Sequence, residues 1–208
     1  MLTLQTACAF FGVSLLLGIT PGPDNVFVLV QSATYGRRAG MLVVLGLCGG
    51  LVVHTTAIAL GLAAVFAASE TAFVVLKFAG AAYLAYLAWQ AFTAPVSDSS
   101  GAQAPALQPL QLWMRGVIMN LTNPKVVFFF LAFLPQFVDP ARGSVALQLG
   151  QLGAIFIVAT LVTFGAVSYF AATLGQRLRG SARAQQWMNR AAGTVFAGLA
   201  LRLAVAQR

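Results

Sequence analysis

Charged side chains are so sparse in this chain that they divide it into long apolar blocks. Before Arg37 the only one is Asp24, and none lies between Arg38 and Glu70 or between Arg142 and Arg177. Each of these blocks exceeds the ~20 residues that one bilayer-spanning helix requires. The pattern predicts six spans, at about 4–34, 41–67, 71–92, 113–134, 145–173 and 185–206. Residues 93–112 break it with Pro95, Ser97, Asp98, Ser99, Ser100, Gly101, Pro105 and Pro109, a turn-rich linker in mid-chain. The expected fold is an all-α integral membrane protein of six transmembrane helices, one transmembrane domain over residues 1–208.

Composition agrees. Hydrophobic residues make up 60% of the chain and charged residues 8%, against about 25% charged in soluble domains. With a mean hydropathy of +0.87, the excess apolar surface needs lipid to face. The net charge of +8 does not point to nucleic acid, because the arginines are scattered between blocks instead of forming a stripe. They follow membrane topology. Arg37, Arg38, Arg115, Arg177, Arg179, Arg183 and Arg190 share one side, against Lys77, Arg142, Arg202 and Arg208 on the other. The positive-inside rule puts the first group in the cytoplasm and both termini outside. The N-terminus lacks a basic n-region, so residues 4–20 read as a retained span and not a signal peptide. Cys8 and Cys48 lie in apolar runs and read as buried small hydrophobes. Without a Cys/His cluster, neither a metal nor another cofactor is expected.

The halves either side of the linker resemble each other. Span 1 is interrupted by Pro21-Gly22-Pro23 and span 4 by Asn123-Pro124; Pro21 to Gly40 and Pro124 to Gly143 are both 19 steps. Lys77-x-x-Gly80-x-x-Tyr83 in span 3 matches Arg190-x-x-Gly193-x-x-Phe196 in span 6. Two three-span units, about 4–92 and 113–206, must enter the membrane in opposite directions, because three is odd. The expectation is an inverted-topology repeat with broken helices 1 and 4, and a binding site at the breaks. Proline removes an amide donor and clashes with the preceding turn. Broken backbone in hydrocarbon persists only where protein or a wet cavity satisfies it.

The residues at the breaks are the candidate site: Pro21, Gly22, Pro23, Asp24, Asn25, Asn120, Asn123, Pro124 and Lys125. An isolated mid-span carboxylate such as Asp24 costs about 2.5–3.5 kcal/mol on the insertion scale, which argues for function. It also suits an N-cap for a half-helix starting near Val26, and the two roles coexist. Lys125 is its electrostatic counterpart after the second break, or an interfacial anchor if the span starts at Pro124. Asn25, Asn120 and Asn123 can cap or coordinate. His54 is either hydrogen-bonded to a neighbouring helix or part of a proton relay. Tyr83 and Gln136 are polar groups near the expected cavity. Gly46, Gly49 and Gly50 read as helix-packing positions.

Together these segments resemble a known family. Gly18-Ile19-Thr20-Pro21-Gly22-Pro23-Asp24-Asn25, Tyr35-Gly36-Arg37-Arg38-Ala39-Gly40, Leu76-Lys77-Phe78-Ala79-Gly80-Ala81-Ala82-Tyr83-Leu84, Asn120-Leu121-Thr122-Asn123-Pro124-Lys125 and Leu134-Pro135-Gln136-Phe137-Val138 are similar to motifs of the LysE/RhtB family of bacterial amino-acid exporters, over about residues 5–206. The resemblance implies a multi-pass protein of the bacterial inner membrane that exports amino acids, closer to the homoserine/threonine branch, with the proton as coupling ion. On this reading Lys125 and half-helix N-termini hold the substrate carboxylate, while Asp24 and nearby carbonyls hold its ammonium. The alternative is a LysE-type exporter of another small solute, a cation or an amphiphilic metabolite. An enzyme would need a nucleophile–base pair or a metal set, which one His, four acidic residues and two apolar Cys do not supply. A channel would be indifferent to a proton gradient, and a scaffold would tolerate alanine at both breaks. Small-residue helix faces permit a homodimer.

Overall fold

The structure, a computed structural model, describes residues 2–20, 22–61, 70–93, 108–178 and 182–205. The described chain is helical throughout. Helix α1 (Leu4–Ile19) starts at Thr3, whose Oγ1 accepts from the Thr6 N–H at 3.1 Å. Helix α2 (Pro23–Tyr35) leaves it at 65° across the first proline break. Gly36, at φ +89°, turns the chain into α3 (Arg37–Ala59); side chains other than glycine's are strained in that conformation. Then come α4 (Glu70–Thr93), α5 (Pro109–Leu121), α6 (Pro124–Phe128), α7 (Val145–Leu178) and α8 (Ala182–Val205).

The expected spans are present as helices, with two of them broken as the prolines required. Among the described residues α3 and α7 are each long and apolar enough to cross a membrane, and the α1–α2 pair qualifies if counted as one bent span. Helix α3 starts earlier than expected, directly after the Gly36 turn; residues 62–69, where span 2 was expected to end, lie outside the described residues. So do Pro21 and nearly all of the 93–112 linker.

Span 4 is more irregular than one break implies. Helix α5 stops at Leu121 and α6 restarts with Pro124 at its first position, capped by Asn123, whose Oδ1 accepts from the Lys125 N–H at 3.1 Å. Five residues later the helix widens into a π turn (Phe129–Phe133), in which the Leu134 N–H reaches the Phe129 carbonyl, and then tightens into a 3-10 turn (Leu134–Phe137). Pro135 explains the change of pitch, because its ring displaces the carbonyl one turn before it and donates nothing. The Val138–Gly143 loop beyond is pinned by Gln148 of α7, itself 1% exposed. Its Oε1 accepts from the Asp139 N–H at 3.1 Å while its Nε2 donates to the Asp139 carbonyl at 2.9 Å.

Helix α3 is central, packed on α2, α5 and α7, while α7 also contacts α1 and α2, and α4 pairs with α8. Two apolar clusters hold these contacts. One gathers Phe27, Val43, Leu47, Leu84, Met119, Phe164 and Phe196 from α2 to α8. The other gathers Phe10, Leu51, Val126, Phe129, Phe130 and Phe156. In the second, Phe10 lies 5.0–6.3 Å from the rings of Phe129, Phe137 and Phe156, which fixes α1 against the second break. Of the run Phe128-Phe129-Phe130, the last two are buried here and Phe128 faces outward. Cys48 is buried, but Cys8 is exposed on the outside of α1, the reverse of its expected burial.

The glycines of α3 act as packing positions. A Cβ at Gly46 would collide with the Trp113 carbonyl of α5, and one at Gly116 would collide with the Val43 carbonyl of α3. Gly116→Val should therefore force α3 and α5 apart and cost about 3 kcal/mol, the upper range for overpacking a rigid core. Gly165, with nothing within 4 Å of an added Cβ, should accept alanine without loss. Thermal unfolding of the two purified variants in detergent checks the contrast; equal melting temperatures would refute it.

Candidate functional site

The site is built at the two helix breaks. An α-helix leaves its last four carbonyls without intrahelical partners, and in α1 side chains from elsewhere take three of the acceptors at and beside its end. The Leu17 and Thr20 carbonyls accept from Lys125 Nζ at 3.3 and 3.0 Å. The Gly18 carbonyl accepts from Asn25 Nδ2 at 2.8 Å. The negative end of the α1 dipole thus meets a cation, the favourable sign.

Lys125 Nζ also donates to Asp24 Oδ1 at 3.2 Å and to Asn25 Oδ1 at 3.3 Å. The pair is an ion bridge between residues 101 positions apart, with Asp24's side chain 4% exposed and that of Lys125 17%. The ammonium faces four acceptors with three hydrogens. Asp24 sits in the first turn of α2, where the helix N-terminus favours a carboxylate, and accepts from the Asn25 N–H at 3.0 Å. It is not the N-cap. Gly22 holds that position with no side-chain cap, and Pro23 fills the first helical position, for which its fixed φ is suited. Gly22 itself is extended, so its lack of a side chain matters for space: a Cβ there would stand 2.7 Å from Asp24 Oδ1 and 3.0 Å from Lys125 Nζ.

A small cavity lies against this pair, lined by Asp24, Lys125, Asn120, Thr160, Phe156 and Phe164 among others. It leaves about 10 Å³ for the centres of water molecules, room for about one water. Asn120 is 3% exposed, and its Oδ1 has no hydrogen-bond partner among the described residues; nor has Nδ2 of Asn123, 1% exposed. Unpartnered polar atoms so deeply buried are uncommon and call for an occupant or a function. A second, open groove of about 400 Å³ reaches Lys125 and Thr20 from the outside, between Val13, Leu16 and Leu17 of α1 and Phe128, Phe129 and Phe133.

The structure therefore brings together Gly22, Pro23, Asp24, Asn25, Asn120, Asn123 and Lys125, and Pro124 starts α6 among them. His54 lies beside the group: its Nε2 is 3.4 Å from the Asn120 carbonyl and its ring packs 5.3 Å from Phe130. Gln136 is exposed on the 3-10 turn. Tyr83 is on α4, but its side chain, like that of Pro124, lies outside the described residues. Thr160, Phe156 and Phe164 of α7, with Leu17, Leu47 and Val126, are lining residues that sequence reasoning missed. Only Thr160 offered a local signal, a hydroxyl amid an apolar helix, which Thr163 and Thr173 share.

A family model described as LysE type translocator matches residues 15–207. The chain belongs to the LysE family of translocators. A homoserine/homoserine lactone efflux protein of Salmonella typhimurium is 32% identical over 198 residues, covering 94% of each chain. An uncharacterized membrane protein of Vibrio cholerae is 30% identical over 199 residues, covering 96% of each. No solved structure matches. The LysE family chain is thus a helical, multi-pass membrane protein with a buried ion pair between its broken helices.

Removing one partner of a buried ion pair should cost about 3–5 kcal/mol, whereas removing both costs far less. Asp24→Asn and Lys125→Met should each lower stability in that range, and the double variant should recover most of the loss. A double-mutant cycle of unfolding free energies in detergent measures it. Additive losses would show that the pair is not coupled.

Proposed function

We propose that this LysE family chain is a secondary active exporter, not an enzyme, which moves neutral amino acids of the homoserine type out of the cytoplasm across the bacterial inner membrane, N- and C-termini outside, by proton antiport. The observation that carries the reading is the site's charge pattern: one buried carboxylate and one ammonium, with helix-end carbonyls beside them, match a solute carrying one ammonium and one carboxylate. The efflux relative named for homoserine supports the substrate class.

In this reading Asp24 and the Leu17 and Thr20 carbonyls take the substrate ammonium, and Lys125 takes its carboxylate. A proton arriving from outside neutralises Asp24, which weakens its hold on the ammonium and favours outward release. Access alternates by rocking of one three-span unit against the other. The pairing of helices supports two related units: exchanging them maps α3 on α5 to α7 on α1, and returns α3 on α7 and α4 on α8 to themselves. Pro23 and Pro124 also hold the same position, first in the helix after each break. Thr160 and Asn120 complete the lining, with His54 behind Asn120 as a route for the proton. Export of another small solute, a cation or amphiphile, is the second reading, favoured only by the apolar groove that reaches Lys125.

Cells fed homoserine-containing dipeptides should release homoserine faster with this gene than without it, and an uncoupler added in mid-course should abolish the difference. Asp24→Asn should fall to the release rate of cells lacking the gene. Unchanged release by that variant would remove Asp24 from the mechanism. No difference for any amino acid, with the protein verified in the membrane, would shift the reading to another solute.

A further inference from the structure

The position of Lys125 carries more than a salt bridge. Its ammonium occupies an acceptor cage of two helix-end carbonyls, a carboxylate oxygen and an amide oxygen, all within 3.3 Å. Those are the groups that a ligand ammonium would use, and one tethered cation already fills them. Asn120 lines the cavity beside them, and its buried Oδ1 has no hydrogen-bond partner among the described residues. The lysine is the more exposed partner of the pair. Its side chain retains 17% exposure and borders the open groove, whereas Asp24 retains 4%.

We infer that the cage is a primary-ammonium site, and that Lys125 is its internal occupant whenever no solute is bound. This inference rests on the proposed export of zwitterions and adds the rule by which they are chosen. With Lys125 in the cage, Asp24 is compensated and the empty protein carries no isolated buried charge, which would be costly. A solute ammonium enters only by expelling the lysine, and the expelled cation needs a new partner. A zwitterion supplies one in its own carboxylate. A simple amine supplies none, so it leaves the displaced Lys125 charge uncompensated. Selection of zwitterions over amines thus follows from the swap, with no steric filter.

Ethylammonium, an ammonium with no carboxylate, is the probe. Melting temperature in detergent or lipid nanodiscs is the readout, so no transport assay or known substrate is required. Wild-type protein should show no saturable stabilisation by ethylammonium. Lys125→Met, which keeps the apolar stem and vacates the cage, should be stabilised and should bind at least about tenfold tighter than wild type, the worth of one charge-assisted hydrogen bond. Adding Asp24→Asn should remove the gain. Should Lys125→Met not fold, Lys125→Cys purified in ethylammonium, on a Cys8→Ser background, serves instead. Alkylating that sulfur with 2-bromoethylamine, which forms a C–S bond and releases bromide, restores an ammonium on a tether of lysine length and should abolish ethylammonium binding again. Equal binding by wild type and variant, or none by either variant, would overturn the inference. Failure of homoserine export with the ethylammonium pattern intact would overturn the substrate and leave the cage standing.

Discussion

A carboxylate and an ammonium taken out of water each lose several kcal/mol of hydration even after the protein relaxes around them. Asp24 and Lys125 are held in that condition at the centre of an apolar helical protein, and the surrounding structure is organised to make it tolerable. The α1 carbonyls freed by the first proline break accept from the ammonium. The start of α2 places Asp24 at the favourable end of a helix. Asn25 ties the two together, donating to α1 and accepting from Lys125. Gly22 gives up its side chain so that the pair can lie against the backbone. The breaks and the pair explain each other.

Packing then decides which groups join them. The second break is carried by α5, and α5 can approach α3 closely only because Gly46 and Gly116 face each other's backbone. That approach places the Asn120 side chain against Gly50 and its carbonyl within reach of His54. On the other flank, Phe10 of α1 packs on Phe129, Phe137 and Phe156, so α1 cannot shift without the segment that carries Lys125. A rearrangement at either break is felt by both apolar clusters, because the cavity takes Leu47 and Phe164 from one and Val126 and Phe156 from the other.

Much of this was legible in the sequence because the signals are local. Proline interrupts helices wherever it stands in mid-span, and an isolated charge in an apolar block has few reasons to be there, so the breaks, Asp24, Asn25, Asn123 and Lys125 could be read directly. The helix-packing role of Gly46, Gly49 and Gly50 was equally readable. What escaped is tertiary. The spacing of residues 24 and 125 does not say that they touch, and Thr160 of α7 looks like any other threonine in an apolar helix. The N-cap was misplaced because Pro23 competes for the first helical position and wins, which moves the cap back to Gly22. Gln136 follows the π turn on the 3-10 turn, where it is exposed.

A continuous helix through the membrane would satisfy its own carbonyls and have nothing to offer a cation. Breaking α1 from α2 creates acceptors at the edge of an apolar interior, and such acceptors are costly where water does not reach them unless something positive occupies them. The protein supplies that positive group from the other break, on a flexible stem with one side open to a groove. On the proposed reading this makes the resting state a self-complex: the site is complete, and a solute competes with a part of the protein and not with water. The solute must then match the tether on two counts, by bringing an ammonium to the cage and a carboxylate to the lysine it releases. Direction would come from elsewhere, from whichever membrane face delivers the proton that neutralises Asp24, since the cage itself treats the two cations alike.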